Sequence, residues 1–274
     1  MRVALAGCSS VEDPDAPDLL AALDRAGICA VAAPWDADVD WRSYDLVVVR
    51  STWDYVPRRD EFLAWAESVP RLANPASVLS WNTDKRYLER FAQAGIRVVP
   101  TTYVTSGFQP PEGEYVIKPT ISAAGLDTAR YGPGDEDAAR AHVAGLVAAG
   151  RTVMVQPYLA TIDQTHETSL LYVGGVYSHA ARKGPLLTEG TVAAPETWDV
   201  GPREPSAAEL AVGAQVLAEV GEPLLYARVD LLAGQDGPVL LELELTEPYL
   251  FLSFSDGATD RFAAAIAAWA APAA

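Results

Sequence analysis

The pattern that most narrows what this chain can fold into lies near its end, where two strand-forming runs carry carboxylates on alternate residues. Leu225–Leu232 and Val239–Leu245 are rich in leucine and valine, and Ala233–Pro238 between them carries Gly234, Gly237 and Pro238, the punctuation of a hairpin. Side chains alternate across a strand, so Glu242 and Glu244 share a face and Asp230 on the partner run meets them there, while Leu241, Leu243 and Leu245 turn the other way. Three carboxylates on one face repel unless something compensates them. A Mg²⁺ ion held by carboxylates and by nucleotide phosphates is one answer. A solvated outer face of an antiparallel sheet is the other, and it predicts the same leucine alternation. The hairpin contains no lysine to neutralise the acids, which favours the metal.

The other end of the chain has a different grammar. Arg2–Gly7 reads as a buried strand, Pro17–Ala26 as a helix with Leu19, Leu20 and Leu23 at helical spacing, and Ile28–Ala33 and Asp45–Arg50 as further strands before a helix over Arg58–Glu67. That order predicts an α/β unit with a parallel sheet covered on both faces. Ligands of such sheets sit at the carboxyl ends of the strands, which singles out the polar and aromatic loop Arg50-Ser51-Thr52-Trp53-Asp54-Tyr55. An ordinary βα loop with Arg50 in an ion pair is the alternative. In the middle of the chain, a helix over Asp84–Ala94 and a strand over Val98–Val104 lead to a short α+β lobe. Its parts are the strands Tyr115–Pro119 and Thr128–Tyr131, the helix Asp135–Ala149 and the strand Val153–Leu159. The last third is strand-rich, with a Gly174-Gly175 hairpin, a helix capped by Ser206 and Glu209, and a final helix over Gly257–Ala270.

Lysine is scarce, so its positions carry information. Lys118 ends an apolar strand and is followed by the small-residue loop Ser122-Ala123-Ala124-Gly125, whose backbone amides can approach phosphate oxygens; Lys85 opens the helix after Trp81-Asn82-Thr83-Asp84. The chain has no GxxxxGK[ST] phosphate loop, no GxGxxG after the first strand, no HExxH and no GxSxG elbow. A net charge of −17 argues against nucleic acid and anionic membrane as partners. Two cysteines make no disulfide framework, and no segment approaches ~18 uncharged apolar residues, so the expected setting is the cytoplasm.

Taken in order, these motifs resemble the ATP-grasp superfamily. They are a lysine at a helix start, a strand ending Ile117-Lys118-Pro119, a small-residue loop, a strand ending Gln156-Pro157-Tyr158-Leu159, and an Asp strand paired with a Glu-x-Glu strand. The layout is that of glutathione synthetase and D-alanine–D-alanine ligase. The resemblance implies a combined α/β and α+β architecture with an N-terminal α/β domain over 1–80, a connecting segment over 81–112, a small lid lobe over 113–159 and a C-terminal antiparallel-sheet domain over 160–274. It implies ATP and Mg²⁺ as cofactors. Lys85 and Lys118 would contact the phosphates under the loop of Ser122, Ala123 and Gly125. Gln156, Tyr158 and Leu159 would form the adenine hinge, and Glu167 would hold the ribose or nearby groups. Asp230, Glu242 and Glu244 would bind Mg²⁺, and Arg182, Lys183 and Arg228 would stabilise the transferred phosphate. Arg50, Ser51, Thr52 and Trp53 are expected to receive the substrate's carboxylate and side chain. Many members carry Glu-x-Asn where this chain has Glu242-Leu243-Glu244, which keeps the metal role and adds a charge.

Longer runs are similar to one subfamily. Val49–Tyr55, Trp81–Leu88, Ser178–Lys183 and Arg228–Asp230 look like the cyclo-ligases that close O-ureido-D-serine into D-cycloserine with ATP. The activity this implies is an ADP-forming, C–N bond-forming ligase of antibiotic biosynthesis. It would take a small amino-acid-like molecule, without nucleic acid or membrane partners, and is compatible with a homodimer. An intermolecular carboxylate–amine ligase and a nucleotide-binding module without turnover are the competing readings.

Overall fold

The computed structural model describes residues 1–188, 191–192 and 199–271. Its first sheet grows from short, largely apolar runs. β1 (Arg2–Gly7), α1 (Ala16–Arg25), β2 (Cys29–Pro34), β3 (Leu46–Val49), α2 (Arg59–Ser68), β4 (Leu72–Ala73) and α3 (Ala76–Asn82) follow in order. The four strands are parallel and ordered β2-β1-β3-β4. Every residue of β3 is buried, as a strand covered on both faces requires. One face packs on Phe62 and Ala66 of α2 together with Trp35 and Trp41. The other packs on Leu19, Ala22 and Leu23 of α1, a stripe at i, i+3 and i+4. At the carboxyl end of β1, Gly7 lets the β3 loop close in, since a Cβ there would stand 2.7 Å from Ser51 Oγ.

The single helix expected over Asp84–Ala94 is two pieces. The Asp84 carboxylate accepts from the Arg86 amide and starts a tight 3₁₀ turn over Lys85–Tyr87, and α4 (Leu88–Gln93) follows. The second sheet comes next, from β5 (Thr102–Val104), β6 (Tyr115–Pro119), β7 (Ala129–Tyr131), α5 (Glu136–Ala148) and β8 (Val153–Pro157). Its antiparallel order is β5-β8-β6-β7. Ala139, Val143 and Leu146 of α5 cover one face over Tyr115, Ile117, Val153 and Val155.

The third sheet is built from α6 (Ile162–Thr165), β9 (Glu167–Val173), β10 (Val176–Lys183), β11 (Leu187–Thr188), β12 (Thr191–Val192), β13 (Val200–Pro202), α7 (Ala207–Val220), β14 (Tyr226–Gly234) and β15 (Gly237–Glu244), before α8 (Ala258–Ala270). Its antiparallel order is β13-β10-β9-β14-β15, with β11 and β12 paired separately. Ser206 and Glu209 form the expected capping box on α7. The β14–β15 hairpin is tighter than the sequence suggested, with Gly234 facing Gly237 across a two-residue turn.

Packing crosses the sequence order. Phe262, Ala263 and Ile266 of α8 join Val3 and Leu5 of β1 and Leu171 of β9 in one core, so the last helix seals the first sheet to the third. Two asparagines pin the same junction. The Asn74 side chain donates to the carbonyls of Tyr226 (2.9 Å) and Leu245 (2.7 Å) and accepts from the Leu225 amide (2.8 Å). Asn82 donates to the Leu243 carbonyl (2.8 Å) and accepts from the Leu245 amide (2.8 Å). Among the described residues no helix is long and apolar enough to cross a membrane.

Asn74 is fully buried, so its truncation strands three backbone groups. Asn74→Ala is therefore expected to lower stability by about 3 kcal/mol or more, read as a lower urea midpoint. An unchanged midpoint would mean that apolar packing alone holds the two sheets together.

Candidate active site

The second and third sheets face each other across a cavity of about 620 Å³ that the loops of the first sheet close at one end. Its floor is one face of the third sheet, and the register explains why that face is charged. Lys183 of β10 lies opposite Glu167 of β9, Asp230 of β14 lies opposite Ser169 of β9 and Glu242 of β15, and Arg228 lies opposite Glu244. A bulge between Asp230 and Leu231 breaks the alternation on β15. Leu243 and Leu245 enter the core as expected, but Leu241 joins Leu232 in the cavity wall.

The carboxylates are not short of cations, which corrects the argument drawn from the lysine-free hairpin. Two lysine partners arrive from elsewhere in the chain, and the hairpin's own Arg228 is the third. Lys85 Nζ lies 3.1 Å from Glu242 Oε1, Lys183 Nζ lies 3.1 Å from Asp230 Oδ2 and contacts Glu167, and Arg228 bridges Asp230 (2.9 Å) and Glu244. Burial opposes ionisation of Asp230, but Arg228 and Lys183 outweigh it and hold that carboxyl well below the usual range. Burial likewise works against Glu242, and Lys85 and Lys118 bring it below its ordinary value. Burial pushes Glu167 up to about 8, with Lys183 opposing, and raises Glu244 against the pull of Arg228. Among the described residues no group of three or more histidines, cysteines or acids is gathered as a metal site, and Asp230, Glu242 and Glu244 each turn to a cation. The donor chemistry nevertheless suits a hard divalent ion: Asp230, Glu242 and Glu244 present carboxylate oxygens from two paired strands into one cavity.

The roof comes from the second sheet. Lys118 at the end of β6 is buried, and burial together with Lys85 and Lys183 lowers its pKa while Glu242 and Glu167 raise it. It makes no ion pair among the described residues, unlike Lys85 and Lys183. Lys85 also donates to the Ser122 carbonyl at 2.6 Å, which ties it to the small-residue loop. Ala124 (φ 50°) and Gly125 (φ 73°) are both left-handed and fold that loop back over the cavity, where Ser122, Ala123 and Gly125 line it. At the far end lie Gln156, Tyr158 and Leu159 with Val116, Leu232, Leu241 and Ile162, an apolar slot suited to a planar base. Gln156 is fixed by a 2.9 Å bond to Thr101 Oγ1, and Arg130 lies 3.5 Å above the Tyr158 ring.

Two expectations meet a different arrangement. Arg182 and Lys183 are neighbours on β10, so they face opposite ways. Lys183 enters the cavity, whereas Arg182 turns out to Asp199 (2.8 Å) and His166 (3.0 Å) and does not line it. Arg50, Ser51 and Thr52 are buried beneath the cavity rather than in its wall, and only Trp53 of the four reaches it. Arg50 is held by Asp13 (3.0 Å), Asp15 (3.6 Å) and the Pro248 carbonyl (3.4 Å), which fixes the 8–15 loop to the first sheet. The loop in turn gives Val11, Glu12 and Pro14 to the cavity rim. Tyr55, at the end of the loop singled out in the sequence, also lines the cavity, and the residues the sequence reading passed over here are Glu247, Tyr249 and Phe251. Glu247 could not be found by strand alternation, because β15 ends at Glu244 and the parity with Glu242 is lost beyond it.

This geometry, a charged antiparallel floor and a small α+β roof gripping one cavity, is the ATP-grasp fold, that of an ATP-dependent ligase. The crystal structure of D-cycloserine synthetase DcsG superposes with a TM-score of 0.91 at 38% identity, covering 99% of this chain and 100% of that one. D-alanine–D-alanine ligase from Bacillus anthracis complexed with ATP superposes with a TM-score of 0.72 at 15% identity, covering 98% and 97%, a likeness of fold alone. Residues 3–74 match the family model described as the N-terminal domain of D-cycloserine synthetase DcsG. The cycloserine biosynthesis protein DcsG of Streptomyces lavendulae is 40% identical over 279 residues, covering 93% of each chain. The chain belongs to the D-cycloserine synthetase family of ATP-grasp ligases.

Removing Arg50 leaves two buried aspartates without a counter-charge. Arg50→Ala is expected to destabilise the fold by about 3–5 kcal/mol, and so to lower the melting temperature by roughly 10 °C or more. Loss of substrate affinity with an unchanged melting temperature would instead make Arg50 a substrate ligand.

Proposed function

We propose that this chain closes O-ureido-D-serine into D-cycloserine at the expense of ATP. The observation that carries the reading is the meeting in one cavity of Lys118, which has no ion-pair partner among the described residues, with a row of cation-balanced carboxylates. A magnesium nucleotide matches both sides of that cavity. Lys85, Lys118 and Lys183 would turn to its phosphates, and Asp230, Glu242 and Glu244 would hold the ion. Mg²⁺ supplies charge neutralisation across the phosphates. Gln156, Tyr158, Leu159 and the apolar slot would take the base, and Glu167 would sit near the ribose. Ser122, Ala123 and Gly125 would cover the phosphates.

In the proposed reaction the substrate carboxylate attacks the γ-phosphorus and ADP leaves, giving an acyl phosphate. Arg228 lies between Asp230 and Glu244, where it can hold the carboxylate as charge builds. The nitrogen bonded to the side-chain oxygen then attacks the acyl carbon. The bond to phosphate breaks, and the carbamoyl remnant is released on hydrolysis as CO₂ and ammonia. Because nucleophile and electrophile belong to one molecule, holding the chain of the substrate folded supplies much of the rate. Enclosure by the roof loop keeps water from the acyl phosphate. Trp53 and Tyr55 form the wall where the substrate would lie; Arg182 has no part in the transfer and serves as a surface tie to Asp199.

The test is ADP release and product mass with Mg²⁺, ATP and O-ureido-D-serine, for which one D-cycloserine per ADP is the expected outcome. EDTA should abolish turnover and added Mg²⁺ restore it. Asp230→Asn should lower kcat by about 10²-fold or more with the fold retained. A product joining two substrate molecules would mean intermolecular ligation, and near-normal turnover by the variant would remove Asp230 from the site.

A further inference from the structure

We propose that Glu247 is the subsite for the α-ammonium group of the substrate, and that it makes the enzyme demand an amino acid rather than a simple carboxylic acid. The inference rests on the ligase reading above and adds the group that recognises the substrate's cation.

Glu167, Asp230, Glu242 and Glu244 each have a lysine or arginine in ion-pair contact. Asp13 and Asp15, behind the wall, are taken by Arg50. Glu247 lines the cavity and has no such partner among the described residues. Glu12 also lacks one but stands exposed on the rim, where water compensates it. An enclosed carboxylate without a counter-ion is costly unless a ligand supplies one.

The residue is also built into position. The Trp53 indole donates to the Glu247 carbonyl at 2.9 Å, and the next carbonyl, that of Pro248, accepts from Arg50 at 3.4 Å. The Tyr55 hydroxyl stands close enough to the carboxyl to favour its charged form. Burial pushes that carboxyl up to about 8, Glu244 adds to the rise, and Lys85 and Tyr55 oppose it. A cation delivered to this point therefore relieves a standing cost, which is what selective recognition of an ammonium requires. Trp53, Tyr55, Tyr249 and Phe251 surround this end of the cavity with aromatic rings, whose faces also attract a cation. Glu242 and Glu244 are engaged with Lys85 and Arg228, so Glu247 is the group left to receive a positive charge while Arg228 stays aimed at the carboxylate.

The discriminating experiment compares O-ureido-D-serine with its des-amino analogue, 3-(ureidooxy)propanoate, by ADP release at saturating Mg-ATP. The wild-type enzyme should prefer the amino acid by about 10²-fold in kcat/KM. Glu247→Gln should collapse that preference to within a few-fold, mainly through KM for the amino acid, with KM for ATP and the melting temperature nearly unchanged. Glu247→Asp should recover part of it. A preference that survives in Glu247→Gln, or that disappears in Glu12→Gln instead, overturns the assignment. Wild-type enzyme that releases no ADP with O-ureido-D-serine sinks the ring-closure reading itself, a result distinct from an active enzyme whose preference ignores Glu247.

Discussion

The structure depends on a buried network of ion pairs across one face of the third sheet, running from Lys183 through Glu167 and Asp230 to Arg228 and Glu244, with Glu242 and Lys85 beside it. Desolvating charges costs several kcal/mol each, and close pairing at best offsets the loss, so such a network is poor evidence of stability. Its position gives it another use. Strand pairing fixes the order of charges to within the sheet's own spacing, and the surrounding leucines and asparagine pins keep that sheet rigid. The electrostatic machinery is thus set before any ligand arrives.

The first sheet serves that floor as a buttress. Its strands end against the cavity, and Asn74, Asn82 and Arg50 carry the contact across to β14, β15 and the segment that follows. Polar pins suit this junction better than apolar packing. A buried amide with all its partners in place has one geometry, whereas leucines can slip past one another. A small change in the angle between the sheets would move Trp53 and Tyr55 relative to Arg228, and with them the end of the cavity assigned to the substrate.

Much of this was legible in the sequence because its signals are local. Mainly apolar runs marked β1 and β3, alternation marked the β14–β15 hairpin, and Ser206 with Glu209 marked the start of α7. Lys85, Lys118, Lys183, Asp230 and Glu242 were found as a set, and the fold places them around one cavity. What escaped was non-local or off-register. Arg50 pairs with Asp13 and Asp15 on another loop, which no spacing discloses. Arg182 was grouped with Lys183 although neighbours on a strand face apart. Lysine partners for the hairpin acids seemed missing because Lys85 and Lys183 come from 157 and 59 positions before Glu242 in the chain. Leu241 faces the cavity only because of a bulge, and Glu247 lies past the end of the alternating strand.

The same network bears on how a highly charged ligand can enter without a large barrier. Breaking one partner from a buried pair is expensive because it leaves the other charge uncompensated. A magnesium nucleotide, as proposed above, would avoid that state because it carries both signs: the ion would meet Asp230, Glu242 and Glu244 while the phosphates met Lys85 and Lys183, so that pairing would be exchanged rather than lost. Lys118, without a carboxylate partner among the described residues and held in the charged form less firmly than Lys85 and Lys183, is the cation that would gain a partner outright. At the other end Glu247 is, among the described residues, the enclosed acid in the same position. Among the described residues, the two left unmatched thus lie where, on the proposed reading, the two reactants would bring the opposite charge, phosphate to one and ammonium to the other.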